Sequence, residues 1–385
     1  MLEKALVGTN KYWAWIFFLL GVMGIGGLFY LYQFNYGLGA TGMSRDVSWG
    51  VYIAQFTFMV GVAAGGVMLV LPYYIHDYKA FGKITILGEF MAIAAVAMCI
   101  MFITADLGQP MRIMNVLLHP TPNSMLFWDM IVLNGYLFLN AICGWVILNA
   151  HNKGVHYPQW VKPFIYLSIP WAFSIHTVTA FLYCGLPGRH FWLTAILAPR
   201  FLASAFAAGP ALLVLIAMIL KRVANFDAGE KAFQKLGTII TYAALANFFF
   251  LGLEFFVAYY SRIPGHMHTL DYLFWGLEGH DNLVLPMRFS LTIGLIATTM
   301  LLFPQIKKKE STFALSCGML FTSLWIDKGV GMVLGGFVPS PLDRVTEYVP
   351  TVIEIGISLA VWATGALILT ILYKLAISVA AKEAA

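Results

Sequence analysis

Residues 85–130, TILGEFMAIAAVAMCIMFITADLGQPMRIMNVLLHPTPNSMLFWDM, contain the pattern that decides the fold. The first half carries one charged side chain, Glu89, within a run of about 20 apolar residues, the length that crosses a bilayer as a helix. Three charged residues (Asp106, Arg112 and Asp129) then flank a loop with several prolines, and the chain becomes apolar again. The stretch therefore predicts two spanning helices joined by a loop at the membrane surface.

The same pattern recurs along the whole chain. Its 385 residues are 60% hydrophobic and 11% charged, with a mean hydropathy of +0.80, whereas soluble domains carry about 25% charged residues. We therefore predict an all-α, polytopic integral membrane protein with ten transmembrane helices. The apolar runs lie near residues 13–32, 51–75, 85–105, 126–149, 164–185, 199–220, 236–261, 286–306, 312–331 and 351–377.

A short internal repeat indicates how the ten helices are grouped. The second run contains AAGGVMLVL (63–71) and the sixth contains AAGPALLVL (207–215), a constant offset of 144 residues. We interpret the chain as a single membrane domain built from two parallel four-helix bundles, which contain helices 2–5 and helices 6–9. The domain covers 1–385, the two units cover 51–185 and 199–331, and the flanking segments 1–50 and 332–385 supply helices 1 and 10.

Lysine and arginine residues are distributed unequally between the two sides of the predicted bundle. The side with both termini has 15 of them and the other side has eight, so the positive-inside rule places both termini in the cytoplasm. We expect a multi-pass protein of a prokaryotic cytoplasmic (inner) membrane, and its net charge of +5 requires no nucleic acid. The eight are Arg45, Arg112, Arg189, Arg200, Arg262, Arg288, Lys328 and Arg344.

The side with fewer positive charges also carries the longer loops. They cover 33–50, 106–125, 262–285 and 332–350 and are rich in glycine, proline, aspartate and histidine. Loops of this length usually have a function or face a partner protein. We therefore expect the working face to lie outside the cytoplasm.

Resident redox groups need ligand patterns that this sequence lacks. The four cysteines stand alone inside apolar runs with no C-x-x-C motif, and only His176 of the nine histidines lies well inside a run. These observations argue against an iron–sulfur cluster or a haem held by this chain, and we expect no metal. The cysteines are Cys99, Cys143, Cys184 and Cys317.

Ionisable residues inside the apolar runs are the candidate functional residues, since each costs about 2.5–3.5 kcal/mol near the bilayer centre. His176 and Glu254 lie within runs, about seven to nine residues from the ends that face the longer loops, and Asp106 lies at such an end. We predict that these three exchange protons with a lipophilic ligand. Glu89, near the opposite end of the third run, is a candidate entry for protons.

Several of these residues also have structural explanations. Asp106 could pair with Arg112 and clamp the loop, Asp129 could cap the fourth helix, and His176 could donate to a neighbouring carbonyl. A pocket that combines acidic, imidazole and aromatic groups nevertheless suits a quinone, which needs apolar walls and a few polar contacts. The residues that we assign to binding it are Tyr52, Trp128, Asp129, Arg112, His176 and Glu254.

Several motifs, in this order, resemble those of the NrfD family, also called the polysulfide reductase (PsrC-like) membrane subunit family. They are WGVYIAQFTFMVGVAAGG (49–66), DLGQPMR (106–112) with PTPNSMLFWD (120–129), SIHTVTAF (174–181) and EYVPTVIE (347–354). The resemblance covers nearly the whole chain. It is closest to the ten-helix branch, and within it to the P subunit of a sulfite-reduction-associated complex (DsrP of DsrMKJOP).

The resemblance implies a subunit without a redox group of its own. It would bind menaquinone near the outer face and exchange electrons with a periplasmic ferredoxin-like iron–sulfur subunit, in sulfur metabolism and with possible coupling to proton translocation. Further partners would be a multihaem cytochrome c, a haem b membrane subunit and a cytoplasmic iron–sulfur subunit. Some relatives carry a quinol-contacting histidine in the second helix, where this chain has Ala64, so His176 or Asp106 would substitute.

Two other functions stay open on the sequence. A proton- or ion-conducting transporter would use the repeat and the buried carboxylates without a quinone, and would have helices broken at matching places. Pro210, which we expect to interrupt the sixth helix, matches Gly66 in the second. A passive membrane anchor would only tether the outer subunit and would leave Glu254 and His176 without a role.

Overall fold

The computed structural model describes residues 2–383 and confirms the all-α, multi-pass prediction. In this part of the chain, ten helices are long and apolar enough to cross a membrane, and β structure is limited to one bridge between Leu277 and His280. The spanning helices are α1 (Asn10–Tyr36), α2 (Val51–Gly65 continued by Val67–Tyr74), α3 (Gly82–Asp106), α4 (Met125–Lys153), α5 (Lys162–Cys184), α6 (Leu197–Ala224), α7 (Glu230–Tyr260), α8 (Val284–Leu302), α9 (Glu310–Gly335) and α10 (Val352–Glu383).

Helix α2 forms the centre of the bundle. The most apolar 18-residue window of its span is 94% buried, compared with 17% for α1. Helix α2 packs against α3, α5, α6 and the last third of α9, whereas α1 packs mainly against α10. Large apolar side chains of α1, such as Phe17 and Leu28, are therefore left facing the lipid, which is a favourable solvent for them.

Small residues allow α2 and α6 to cross closely. A Cβ atom on Gly65 would lie 2.6 Å from the Cα of Gly209, and these two glycines are separated by the 144 residues of the sequence repeat. Helix α2 packs on α3 and α5 as α6 packs on α7 and α9. The contacts are compatible with two repeated four-helix units over 51–185 and 199–331, and that division stays a prediction.

Helix α6 continues through Pro210, so the prediction of an interruption there is wrong. The break lies instead in α2, at Gly66, where a Cβ atom would approach the carbonyl oxygen of Gly88 on α3 to 3.0 Å. Proline is tolerated inside a spanning helix because neighbouring helices compensate for the missing hydrogen bond.

The loops divide the molecule into two faces. The long-loop face carries residues 37–50, 107–124, 185–196, 261–283 and 336–351, and includes a short helix, Pro264–Phe274. The opposite face, with both chain ends, is called the terminal face. The loops of the long-loop face are tied together, since Arg189 donates to the backbone oxygens of Asp46 and Phe337 at 2.9 and 3.0 Å.

Two positive residues that were counted on the outer side, Arg200 and Lys328, lie instead inside the bundle together with Asp327. Arg200 is the fourth residue of α6, and Asp327 and Lys328 lie eight and seven residues before the end of α9. All three are at most 7% exposed. Without Arg200 and Lys328, the long-loop side has six positive residues against 15 on the other side, and the orientation stays a prediction.

Candidate functional site

A π-helical turn in α9 brings the two buried charges of that helix into the core. The α-helix ends at Leu324, residues Trp325–Gly331 form the π turn, and Met332–Gly335 resume the α-helix. The indole of Trp325 fixes the start of the turn by donating to Gln55 Oε1 at 2.9 Å. Single π turns within α-helices often occur at functional sites, and this one directs two consecutive side chains toward different neighbours.

The first of these side chains, Asp327, pairs with Arg200. The Nη2 atom of Arg200 donates to both carboxylate oxygens of Asp327 at 2.8 Å, and its Nη1 atom donates to Glu254 Oε2 on α7. One guanidinium thus joins α6, α7 and α9. A buried guanidinium with two carboxylates is stable only when its hydrogen bonds are satisfied in this way.

The second side chain, Lys328, contacts His176 of α5. Lys328 Nζ lies 2.6 Å from His176 Nε2 and 4.3 Å from the ring centroid of Phe201. Both residues are at most 4% exposed. Gly61 of α2 leaves space for the Lys328 ammonium group, because a Cβ atom at this position would lie 3.1 Å from Lys328 Nζ. We call Arg200, Glu254, Asp327, Lys328 and His176 the core charge cluster.

The imidazole of His176 is held on one side only. If Lys328 is an ammonium group, it donates and Nε2 accepts, so the proton of a neutral imidazole is on Nδ1. Within residues 2–383, Nδ1 is buried without a hydrogen-bond partner. The alternative prediction that His176 donates to a neighbouring carbonyl is therefore not met in this structure.

Asp129 lies next to this cluster and does not cap α4. It is the fifth residue of that helix, is 1% exposed, and accepts a hydrogen bond at 2.8 Å from Thr179, which lies three residues after His176 on α5. The N-cap residue is Ser124, whose side chain makes no capping hydrogen bond. The capping explanation for Asp129 is therefore wrong, because the carboxylate points across to α5.

A second polar group lies where α1, α2 and α3 meet near the long-loop face. The hydroxyl of Tyr52 donates to Gln33 Oε1 at 2.6 Å, and Gln33 Nε2 donates to the backbone oxygen of Ala105 at 2.7 Å. Asp106 follows at the end of α3, and its Oδ1 atom is buried without a hydrogen-bond partner in the described chain. We call Gln33, Tyr52 and Asp106 the α1–α3 cluster.

Glu354 beside this cluster has a structural role. Its carboxylate accepts hydrogen bonds from the backbone nitrogens of Gly42 and Thr351 at 2.7 and 2.8 Å, and from the hydroxyl of Tyr348 at 2.5 Å. It thereby fastens the start of α10 to the loop after α1. Among residues 2–383, Asp106 has no comparable set of donors.

The remaining predicted site residues lie elsewhere. Arg112 is exposed in the 3-10 turn Pro110–Arg112, and among residues 2–383 no ion pair joins it to Asp106. The prediction that Asp106 pairs with Arg112 and clamps the loop is therefore wrong. Trp128 is 43% exposed and donates to the backbone oxygen of Pro122 at 2.8 Å. Glu89 lies in the half of α3 that is nearer the terminal face and is 3% exposed. Its Oε2 atom has no hydrogen-bond partner among the described residues.

Comparison with known proteins gives the family. Residues 39–327 match the family model described as polysulphide reductase, NrfD. The chain belongs to the NrfD family. A protein of Halobacterium salinarum that is provisionally named as a dimethyl sulfoxide reductase membrane subunit is 26% identical over 92% of this chain and 88% of its own length.

Two further relatives have lower identity to this chain. A selenate reductase subunit of Mesobacillus selenatarsenatis is 23% identical over 68% of each chain. The Hdr-like menaquinol oxidoreductase integral membrane subunit of Archaeoglobus fulgidus is 24% identical over 65% of this chain and 62% of its own. The family resemblance is thus confirmed, and the narrower likeness to DsrP stays a prediction.

Sequence reasoning about this NrfD-family chain missed the residues that complete the core charge cluster. Arg200 and Lys328 were assigned to external loops, although both lie inside the apolar runs 199–220 and 312–331. That placement was the available signal, since charges inside a spanning segment usually mark a functional or paired site. Gln33, the partner of Tyr52, is neutral and lies just beyond the first apolar run, so nothing in the sequence marked it as a site residue.

Proposed function

We propose that the protein is the quinone-interacting membrane subunit of a respiratory redox complex. It exchanges electrons between menaquinone or menaquinol and an iron–sulfur subunit that docks on the long-loop face. Family membership supports the proposal, as does the name of the menaquinol oxidoreductase relative. The observation that carries it is that one carboxylate oxygen of Asp106, at the long-loop end of α3 beside Tyr52, is buried without a hydrogen-bond partner among residues 2–383.

The α1–α3 cluster fits the polar requirements of a quinone ring. Quinone carbonyl oxygens accept hydrogen bonds, and oxidation of the quinol releases two electrons and two protons. Asp106 is placed to take up a proton. The hydrogen bond from Tyr52 to Gln33 fixes the position of α2 beside Asp106. His176 is less suited to direct contact with the ring, because the cavity that borders Lys328 and Phe201 has a volume of only about 10 Å³.

Electrons must leave through a partner in this proposal. The four cysteines are widely separated in sequence and lie on four different helices, so an acceptor cluster has to come from the docked subunit. The long-loop face, above the α1–α3 cluster, is the shortest route. In a DsrP-type complex the additional subunits would be a multihaem cytochrome c, a haem b membrane protein and a cytoplasmic iron–sulfur protein.

Binding of a fluorescent menaquinol analogue to the purified complex tests the quinone site. We expect saturable quenching in the wild type and an affinity lower by about tenfold in Asp106→Asn, which loses the charge at the ring, and in Tyr52→Phe, which loses the hydrogen bond to Gln33 that positions α2 beside the ring. Glu278→Gln is the matched control, because this carboxylate is exposed on the same face. Absence of saturable binding in wild type with the partner subunit present would refute the proposal, and unchanged binding in both variants would refute the α1–α3 cluster as the site.

The core charge cluster supports a second candidate, an ion-conducting subunit without a quinone site. Five ionisable side chains from α5, α6, α7 and α9 share one buried region. Proteoliposomes that contain the chain and an internal pH indicator distinguish the two functions. Proton entry driven by a membrane potential without quinol supports conduction, whereas dependence on quinol and the partner subunit supports the redox function.

A further inference from the structure

Asn247 is the least satisfied polar side chain in the described bundle. It lies near the middle of α7 and is 1% exposed, yet neither its Oδ1 nor its Nδ2 atom has a hydrogen-bond partner among residues 2–383. Buried amides in proteins are almost always hydrogen-bonded to protein or to ordered water. The missing partner of Asn247 therefore requires an explanation.

A small cavity adjoins this amide and the core charge cluster. Its volume is about 10 Å³, and its polar walls come from Asn247, Ser204, Asp327, Lys328 and Arg200. This volume is about the minimum that accommodates one water molecule. The remaining lining residues are apolar; they are Leu197, Phe201 and Met332.

We infer that this cavity is a binding site for a single structural water, which links Asn247 to the core charge cluster. Lys328 has a proton to spare after its contact with His176, and Asp327 has lone pairs beyond those that Arg200 uses. Ser204 donates to Phe201 O at 2.8 Å and can still accept. A water molecule there has two to four partners, whichever amide atom of Asn247 faces it.

The chemistry of the walls selects water over an ion. Two positive side chains, Arg200 and Lys328, disfavour a metal cation. The carboxylate of Asp327 and the water-sized volume disfavour an anion. A neutral molecule that both donates and accepts is the ligand that satisfies all of these groups together.

The water completes a continuous chain of hydrogen bonds. The chain runs from His176 through Lys328, the water, Asp327 and Arg200 to Glu254. Asp327 and Glu254 each have 10% of the side chain exposed. Arg200 keeps its protons, so it and Glu254 only hold Asp327 in place. The water therefore serves as a proton relay between Asp327 and Lys328 with its partner His176, Asn247 is its positioning residue, and this role rests on the proposed redox function.

The occupancy of the site is tested with an experimental structure of the complete complex at a resolution that shows ordered water. We expect one density peak within hydrogen-bond distance of Asn247, Asp327 and Lys328 in the wild type. The peak should be absent in Asn247→Leu, which has nearly the same volume and no polar atom, and retained in Asn247→Asp. An empty cavity in the wild type would overturn the inference, whether or not quinol binds.

The relay is tested by the rate of menaquinol-dependent electron transfer in the same complexes. We expect Asn247→Leu to lower the maximal rate by about tenfold or more and to enlarge the solvent isotope effect, with the affinity for the menaquinol analogue unchanged. Asn247→Asp should recover most of the rate and carries the test if the leucine variant does not fold. Asn140→Leu is the control, because that buried amide donates to Tyr136 O within α4.

Equal rates and isotope effects in wild type and Asn247→Leu would overturn the relay while leaving the water site in place. A wild-type complex that fails to bind the menaquinol analogue would instead overturn the proposed function, and the two failures are thus distinguishable.

Discussion

Arg200 determines whether two carboxylates can stay ionised inside the bundle. It is the only partner that the structure shows for Glu254, and it contacts both oxygens of Asp327 within residues 2–383. Removal of one member of a buried ion pair is far more costly than replacement of the whole set, because the remaining charge is left without compensation. The stability of the site therefore depends on this one side chain more than on either acid.

We predict that Arg200→Met lowers the free energy of unfolding in detergent by about 3–5 kcal/mol. The triple variant Arg200→Met, Glu254→Gln, Asp327→Asn should be more stable than Arg200→Met alone. Lys221→Met on the same helix is the control, because its pair with Glu310 is exposed and screened by water. Equal losses for Arg200→Met and Lys221→Met in chemical unfolding would contradict the prediction.

His266 gives the long-loop face a pH dependence. Burial, and then the neighbouring His190, lower the pKa of His266 below its ordinary value of 6.5. The unfolded chain therefore binds a proton more readily than the folded chain, and stability is lost as the pH falls through 6.5. The first helix affected is Pro264–Phe274, which contains His266.

We predict that amide hydrogen exchange in Pro264–Phe274 accelerates relative to α2 when the pH falls from 7.5 to 5.5, after correction for the intrinsic rates. His266→Gln should remove most of this dependence, since the glutamine does not titrate. His119→Gln, on another loop of the same face, should leave it in place. Acid-dependent opening that persists in His266→Gln would assign the effect to a different group.

At the level of single elements, the sequence predicted helix positions better than helix interruptions. Apolar length alone located all ten spans, because a helix must satisfy its own backbone in lipid. The π turn of α9 had no such signal, since it depends on tertiary contacts such as that between Trp325 and Gln55. The break at Gly66 and the continuity at Pro210 likewise depend on what packs against each helix.

The crossing of α2 and α6 yields a prediction at this level. Gly65→Ala would place a methyl group 2.6 Å from the Cα of Gly209 and 3.0 Å from the backbone oxygen of Ala205. Because backbone atoms cannot move aside singly, the helices must separate, at a cost of about 1–3 kcal/mol. Gly27→Ala on lipid-facing α1 meets no atom within 4 Å and should cause no loss. Equal midpoints of thermal unfolding in detergent for the two variants would contradict this account.

At the level of the whole molecule, the family and the ten-helix architecture followed from composition and motif order, whereas the candidate site followed only in part. His176, Glu254 and Asp129 lie around one buried region, and Tyr52 and Asp106 around another. Arg112 and Trp128 lie on the surface. Spacing along a helix gives depth in the membrane, but which helices face one another is set by packing that a single sequence does not display.

Orientation in the membrane is the remaining property of the whole molecule that the charges predict. With Arg200 and Lys328 buried in the core charge cluster, only six positive residues stay on the long-loop side against 15 on the terminal side, so the expected orientation has both termini in the cytoplasm. Glu278→Cys should react with a membrane-impermeant maleimide in intact cells, and Val155→Cys should react only after permeabilisation. Cys184→Ala in both strains removes the one native thiol of the described chain that is not fully buried.

The reverse labelling pattern would place the long loops in the cytoplasm. The iron–sulfur partner would then have to be a cytoplasmic protein, and a proton released at Asp106 would enter the cytoplasm rather than leave the cell. Labelling of the two cysteines therefore decides on which side of the membrane the redox reaction takes up and releases its protons, before any partner subunit has been identified.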